Sequence, residues 1–184
     1  MRPTKIAISI GAAGALALGL VSGAEPQEGA NINAPPGAVA ELKDAKGDVV
    51  GLMGFTDGHH GVVARLTLTA AAPVGSHALH LHEVGRCDAP TFDTAGGHFN
   101  PQNHAHGFTS DKGRHAGDLP NVHGAGDKRE LEYFVDAVTL REGQFSLLDA
   151  DGSSVVLHAG MDDHRSDPDG GAGARIACGV VEKK

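Results

Sequence analysis

From Val39 onward the chain alternates apolar and polar residues in short runs broken by glycine. In the run Val62 to Thr69, Val62, Ala64, Leu66 and Leu68 alternate with neighbours that include Arg65, Thr67 and Thr69. A period of two sends successive side chains to opposite faces, so this run predicts a half-buried strand. Comparable runs predict strands over Val39 to Leu42, Val49 to Thr56, His77 to His82, Leu119 to Val122, Leu131 to Val135, Val155 to His158 and Ile176 to Val181. Lys46-Gly47-Asp48 and Asp57-Gly58 carry turn signals, which makes the first third a set of antiparallel hairpins. About eight short strands result, with no internal repeat. Between them, Glu83 to Asp118 and Ala159 to Arg175 are rich in Gly, Asp, His and Asn and have no helical period. Loops of that length need something to order them, and metal ligands or a disulfide would do it.

Composition narrows the picture. Apolar residues make up 40% of the 184 and aromatic ones 4%, so the core must be built from Val, Leu, Ile and Ala. Arg2 and Lys5 precede an apolar run from Ile6 to Leu20 that ends at Ser22-Gly23-Ala24, which predicts a signal peptide over residues 1–24. The run falls short of the roughly 20 residues a membrane span needs, and no second long one follows. A flexible segment over 25–37 and one domain over 38–184 complete the organisation. Removing the leader takes away two bases and no acids, leaving 13 Lys and Arg against 23 Asp and Glu, a formal charge of −10. That charge disfavours nucleic acid as a partner. An exported protein is expected, in a periplasm or secreted outside. Its two cysteines, Cys87 and Cys178, are most simply a disulfide there, free thiols being the alternative.

Half of the twelve histidines lie between positions 80 and 115. His80 and His82 stand two apart on a predicted strand and project from one face, with Leu81 opposite. His98, His104, His106, His115 and Asp118 follow, and His158 ends a later strand. Imidazole with carboxylate suits Zn²⁺, and an all-imidazole set suits Cu²⁺. No nucleophile elbow or phosphate loop competes with this reading. The residues alone therefore give an exported β protein with one or more imidazole-rich metal sites.

The motifs Ala78-Leu-His80-Leu-His82-Glu, Gly97-His98-Phe-Asn-Pro101, His106-Gly107, His115-Ala-Gly-Asp118-Leu and Gly170-Gly-Ala-Gly-Ala-Arg175-Ile-Ala-Cys178-Gly-Val-Val181 together resemble the copper-zinc superoxide dismutases. The resemblance spans about residues 38 to 182. It implies an all-β fold, a flattened eight-stranded antiparallel Greek-key barrel carrying two long metal and active-site loops. It further implies copper on His80, His82, His98 and His158, and zinc on His98, His106, His115 and Asp118, with His98 bridging the two. His104 is the competing choice for the zinc position, but only His106 precedes a glycine as the family motif does. Asp162 resembles the carboxylate that hydrogen-bonds a ligand histidine of each metal, with Asp163 one residue away as the alternative register. Arg175 resembles the arginine that binds the incoming anion. His77 has a structural counterpart in the family, and His59, His60, His123 and His164 read as surface or turn residues.

The implied reaction is disproportionation of superoxide by redox cycling of one copper per subunit, beside one zinc. His98 would take a proton on its copper side and deliver it as peroxide forms. Lys112, Arg114 and Arg165 are loop cations that could help Arg175 offset the negative net charge. Two other classes remain at this point: a dismutase-like domain that only binds metal, and a metal-free structural domain. The oligomeric state is open, a homodimer included.

Overall fold

Apolar residues at every second position produce three strands joined by tight turns, β1 (Ala38–Asp44), β2 (Val49–Asp57) and β3 (Val62–Leu68). Ala38, Ala40 and Leu42 of β1, Met53 and Phe55 of β2, and Val62, Ala64, Leu66 and Leu68 of β3 all turn into one core. Burial of each large side chain among them contributes roughly 1.5 to 3 kcal/mol. The computed structural model describes residues 36–184, so the expected leader and nearly all of the segment over 25–37 lie outside the described residues.

The remaining strands are β4 (Gly75–His77), β5 (Leu79–His82), β6 (Val122–Gly124), β7 (Arg129–Val135), β8 (Ser154–His158), β9 (Arg175–Val180) and β10 (Glu182–Lys183). Antiparallel pairing runs in the order β5-β8-β9-β1-β2-β3-β7, and β10 continues along β1. β4 and β6 form a separate two-stranded ladder. The long sheet curls into a half-barrel. One residue, Ala78, separates β4 from β5, and one residue, Val181, separates β9 from β10. Joined across those breaks, the strands number eight, as the resemblance implies.

Two predicted strands need correction. His77 to His82 is not one strand, because Ala78 donates its N–H to Gly160 O at 2.7 Å and accepts from His158 N at 2.9 Å. These bonds transfer the chain from the β6 ladder to β8. Leu119 to Val122 begins too early: Pro120 has no N–H for a ladder, and pairing starts only at Val122. The two long stretches are loops, as expected, apart from a 3₁₀ turn at Asp93–Ala95. Among the described residues, no helix is long and apolar enough to cross a membrane.

Candidate metal centre

β5 is buried on both faces. Leu79 and Leu81 point into the barrel core, while His80 and His82 share the opposite face. β8 supplies His158, at a register shift between Leu157 and His158. The stretch from Glu83 to Asp118 folds back along the free edge of β5 through two antiparallel bridges, His82 with His98 and His80 with Asp118. Gly117 permits this approach: its N–H donates to Phe99 O at 2.8 Å and its carbonyl accepts from Leu81 N at 2.9 Å. A Cβ there would lie 2.3 Å from Leu81 O.

Each histidine of the first set has one nitrogen held and one left open. His80 Nε2 donates to Asp162 Oδ2 at 2.9 Å, His82 Nδ1 to Gly96 O at 3.0 Å and His158 Nδ1 to Gly173 O at 3.1 Å. Those oxygens can only accept, so the protons sit on the held nitrogens and the lone pairs on the others. His80 Nδ1, His82 Nε2, His98 Nε2 and His158 Nε2 are buried without any hydrogen-bond partner. The four residues can bring one ligand atom each within 4.8 Å of one another. Four buried orphan nitrogens facing one another would be costly as a structural motif. They fit an imidazole-binding transition-metal cation such as copper.

The second set meets on Asp118. Its Oδ1 lies 3.0 Å from His98 Nδ1, 3.0 Å from His106 Nδ1 and 3.3 Å from His115 Nδ1, and the His98 and His115 Nδ1 atoms are 3.2 Å apart. Ligand bonds of about 2.0 to 2.1 Å in a tetrahedron give edges of about 3.3 Å, so these separations fit zinc. Asp118 Oδ2 is held by the N–H groups of Gly107 at 2.8 Å and His115 at 3.0 Å. Opposite nitrogens of the His98 ring thus belong to the two sets.

Electrostatics follows the same division. Burial pushes His80 down to about 3 and His158 to about 4, and lowers His82 and His98 as well. The charge of Arg175 adds to the lowering at His82 and His158, which places it close to both. These rings are neutral and free to ligate near pH 7. At His106 burial opposes the charge, but bonds to Asp118 and Asp162 outweigh it and raise the ring to about 10. Burial likewise opposes ionisation of Asp118 and Asp162, whereas histidine hydrogen bonds hold both well below the usual carboxylate range.

Asp162 connects the two sets, with Oδ2 on His80 Nε2 and Oδ1 on His106 Nε2, both at 2.9 Å. Asp163, the other register, instead caps an exposed turn through Ser166 and the Arg165 N–H. His104 is exposed and bonds the Arg114 carbonyl, outside both clusters. His77 is structural, its Nδ1 on the carbonyls of His158 and Ala159. Arg175 donates to Phe92 O at 2.8 Å and to Gly96 O at 2.6 Å, so one carbonyl serves both this guanidinium and His82. The Cys87–Cys178 disulfide, with Cα atoms 5.6 Å apart, pins that segment beside Phe92, Ala95 and Val156. Arg114 is not a free loop cation, because it pairs with Asp136 and lies over the Phe108 ring. Sequence reading missed Asn121 and His164, both in contact with Asp162. Neither has a metal-ligand spacing that would have marked it.

The copper/zinc superoxide dismutase family model matches residues 49–181. The chain is 42% identical over 146 residues to Cu-Zn superoxide dismutase 1 of Aquifex aeolicus, covering 78% of this chain and 86% of that one. It is 42% identical over 149 residues to the Cu-Zn superoxide dismutase of Caulobacter vibrioides, covering 79% and 85%. Among solved structures, a SOD-like protein from Bacillus subtilis superposes with a TM-score of 0.75 at 34% identity, over 81% of this chain and 100% of that one.

Proposed function

The chain belongs to the copper/zinc superoxide dismutase family, and from that premise we propose which of its residues carry the family's reaction. It is an oxidoreductase that turns two superoxide anions and two protons into O₂ and H₂O₂, with copper and zinc as cofactors. His80, His82, His98 and His158 hold copper, and His98, His106, His115 and Asp118 hold zinc. Bound there, copper would supply a one-electron carrier and zinc a fixed positive charge.

The residues do the rest. Asp162 fixes the Nε2–H tautomers of His80 and His106, and the Gly96 and Gly173 carbonyls fix the Nδ1–H tautomers of His82 and His158. His98 holds its Nδ1 toward the zinc set, which leaves Nε2 as the atom that would take up and give back a proton during turnover. Arg175 presents positive charge to an anion that the net charge of the chain would otherwise repel. The observation that carries this reading is the convergence of four buried, unpartnered imidazole nitrogens on one side of a His98 ring whose other nitrogen joins the second cluster.

On this reading residues 38–184 are the dismutase domain and residues 1–24 a leader that is cleaved on export. The chain is exported, to a periplasm in preference to the exterior. The disulfide supports this compartment. The test of function is superoxide consumption by the purified mature chain, with copper and zinc measured on the same sample, beside His80→Ala. Activity at about one copper and one zinc per chain, abolished by the substitution, is expected. An inactive, fully metallated wild type would overturn the proposal.

A further inference from the structure

Asp162 is 2% exposed, and its carboxylate touches three imidazoles rather than the two that the metal clusters require. The third belongs to His164. Its backbone sits in the left-handed region at φ 59°, which a residue with a ring adopts only under constraint. Five contacts supply the constraint. The His164 N–H donates to Asp162 Oδ1 at 2.6 Å, and its carbonyl accepts from the Thr109 N–H at 3.0 Å and from Thr109 Oγ1 at 2.8 Å. The ring packs against Phe108 with centroids 5.1 Å apart, and Asn121 Nδ2 lies 3.1 Å from His164 Nε2.

Asn121 settles which ring nitrogen carries the proton. The Asp162 N–H donates to Asn121 Oδ1 at 2.8 Å, and Asn121 Nδ2 donates to the Asp162 carbonyl at 2.9 Å. A backbone N–H cannot accept and a carbonyl cannot donate, so the amide has one orientation. Asn121 Nδ2 is then a donor toward His164 Nε2, which must accept, and the proton lies on Nδ1. That Nδ1 is buried and makes no hydrogen bond; the carboxylate oxygen Asp162 Oδ2 lies 3.3 Å from it, within charge–dipole range but outside hydrogen-bond geometry. A buried N–H with nowhere else to turn is drawn to the nearest carboxylate oxygen.

We propose that His164 is a positioning residue for both metals: its Nδ1–H, set by Asn121, lies against Asp162 as a third imidazole contact and, with the His164 backbone N–H, ties that carboxylate to the Phe108–Thr109 segment beside the zinc ligand His106. The carboxylate is thereby restrained from a side that neither His80 nor His106 occupies, so its two oxygens stay divided between them. This inference rests on the ligand assignments above. His164 ligates no metal. It acts through Asp162.

The test uses the holoenzyme and two substitutions. His164→Gly leaves a residue at ease at φ 59° and keeps the backbone bonds to Asp162 and Thr109, so it removes the ring alone. His164→Asn tolerates the same backbone and returns an amide N–H at the reach of Nδ1, without the ring that packs on Phe108. Zinc release to a chromophoric chelator and the Cu²⁺ electron paramagnetic resonance spectrum are followed in both. His164→Gly is expected to speed zinc release on the order of tenfold and to shift the copper hyperfine splitting, as loss of an outer hydrogen bond does. His164→Asn is expected to restore most of both. Wild-type release from His164→Gly would overturn the proposal, and so would a His164→Asn protein as impaired as His164→Gly, because then only ring packing matters. His106→Ala is the control: if it too leaves zinc release unchanged, the ligand assignment fails first and takes this inference with it.

Discussion

Placing a methyl group at position 170 should separate the two metal sites from the carboxylate that joins them. Gly170 sits at φ 65°, and a Cβ built on it would lie 1.9 Å from Asp162 Oδ1 and 2.7 Å from His106 Nε2. Real Cβ atoms essentially never come within 3.0 Å of another heavy atom, so the carboxylate would have to move about 1 Å. The 2.9 Å bond between those two atoms would not survive that displacement. Gly171 supplies the control, since it has nearly the same backbone, φ 64°, with nothing within 4 Å of where an added methyl would lie. Both alanine substitutions carry the left-handed backbone cost, about 1 to 2 kcal/mol, which lowers the melting temperature by roughly 4 °C per kcal/mol. Only Gly170→Ala adds the wedge. Its metal affinity should fall about 10- to 100-fold, the usual consequence of losing such a bond and equivalent to about 1.4 to 2.8 kcal/mol. Competition with a chelator and thermal melts of both holoproteins measure the two quantities separately. Equal metal retention in the two variants would refute the argument, whatever their melting temperatures.

Replacing Cys87 and Cys178 by serine opens a 91-residue separation, and the chain-entropy relation predicts a loss of about 4 to 5 kcal/mol in denaturant unfolding; an unchanged midpoint would count against it. In the metal-stripped protein, His80 and His158 titrate near 3 and 4 when folded and near 6.5 when unfolded, so the unfolded chain binds more protons below pH 6.5. Stability should therefore fall as pH drops from about 6.5 toward 4, by up to about 2 kcal/mol per histidine at pH 5, and a flat acid limb in urea melts would contradict this. His106, raised to about 10, acts in the other direction: its contribution is complete below about 6.5 and is lost as pH rises toward 10. Arg175→Ala should keep both metals, lower the rate of superoxide consumption at least about tenfold and flatten its dependence on ionic strength; an unchanged salt profile would remove Arg175 from the anion path.

What the sequence made legible was mostly local. The alternation from Val62 to Leu68 marks a strand whatever its neighbours are, and the spacing of His80 and His82 puts both rings on one face by pleat geometry alone. His106 rather than His104 follows from the family resemblance, whose motif has a glycine after the ligand, and the structure places only His106 in the cluster. Ala78 was illegible because its break is made by Gly160 and His158, some eighty residues away in the chain. His164 is a half-buried turn residue, as expected, but its contacts were illegible for the same reason. Its importance lies in Asn121, Phe108 and Thr109, and no local pattern joins them.

β5 has no face toward water. Its four residues are a partition between two interiors, the barrel on one side and the histidine cluster on the other. Most surface strands can drift in sequence on their solvent side without consequence, but this one has no neutral direction in which to vary. A cavity opened behind Leu79 or Leu81 would be transmitted through the same short backbone as a tilt of His80 or His82. Substitutions chosen only to repack the barrel should thus be read in the copper spectrum as well as in the melting curve.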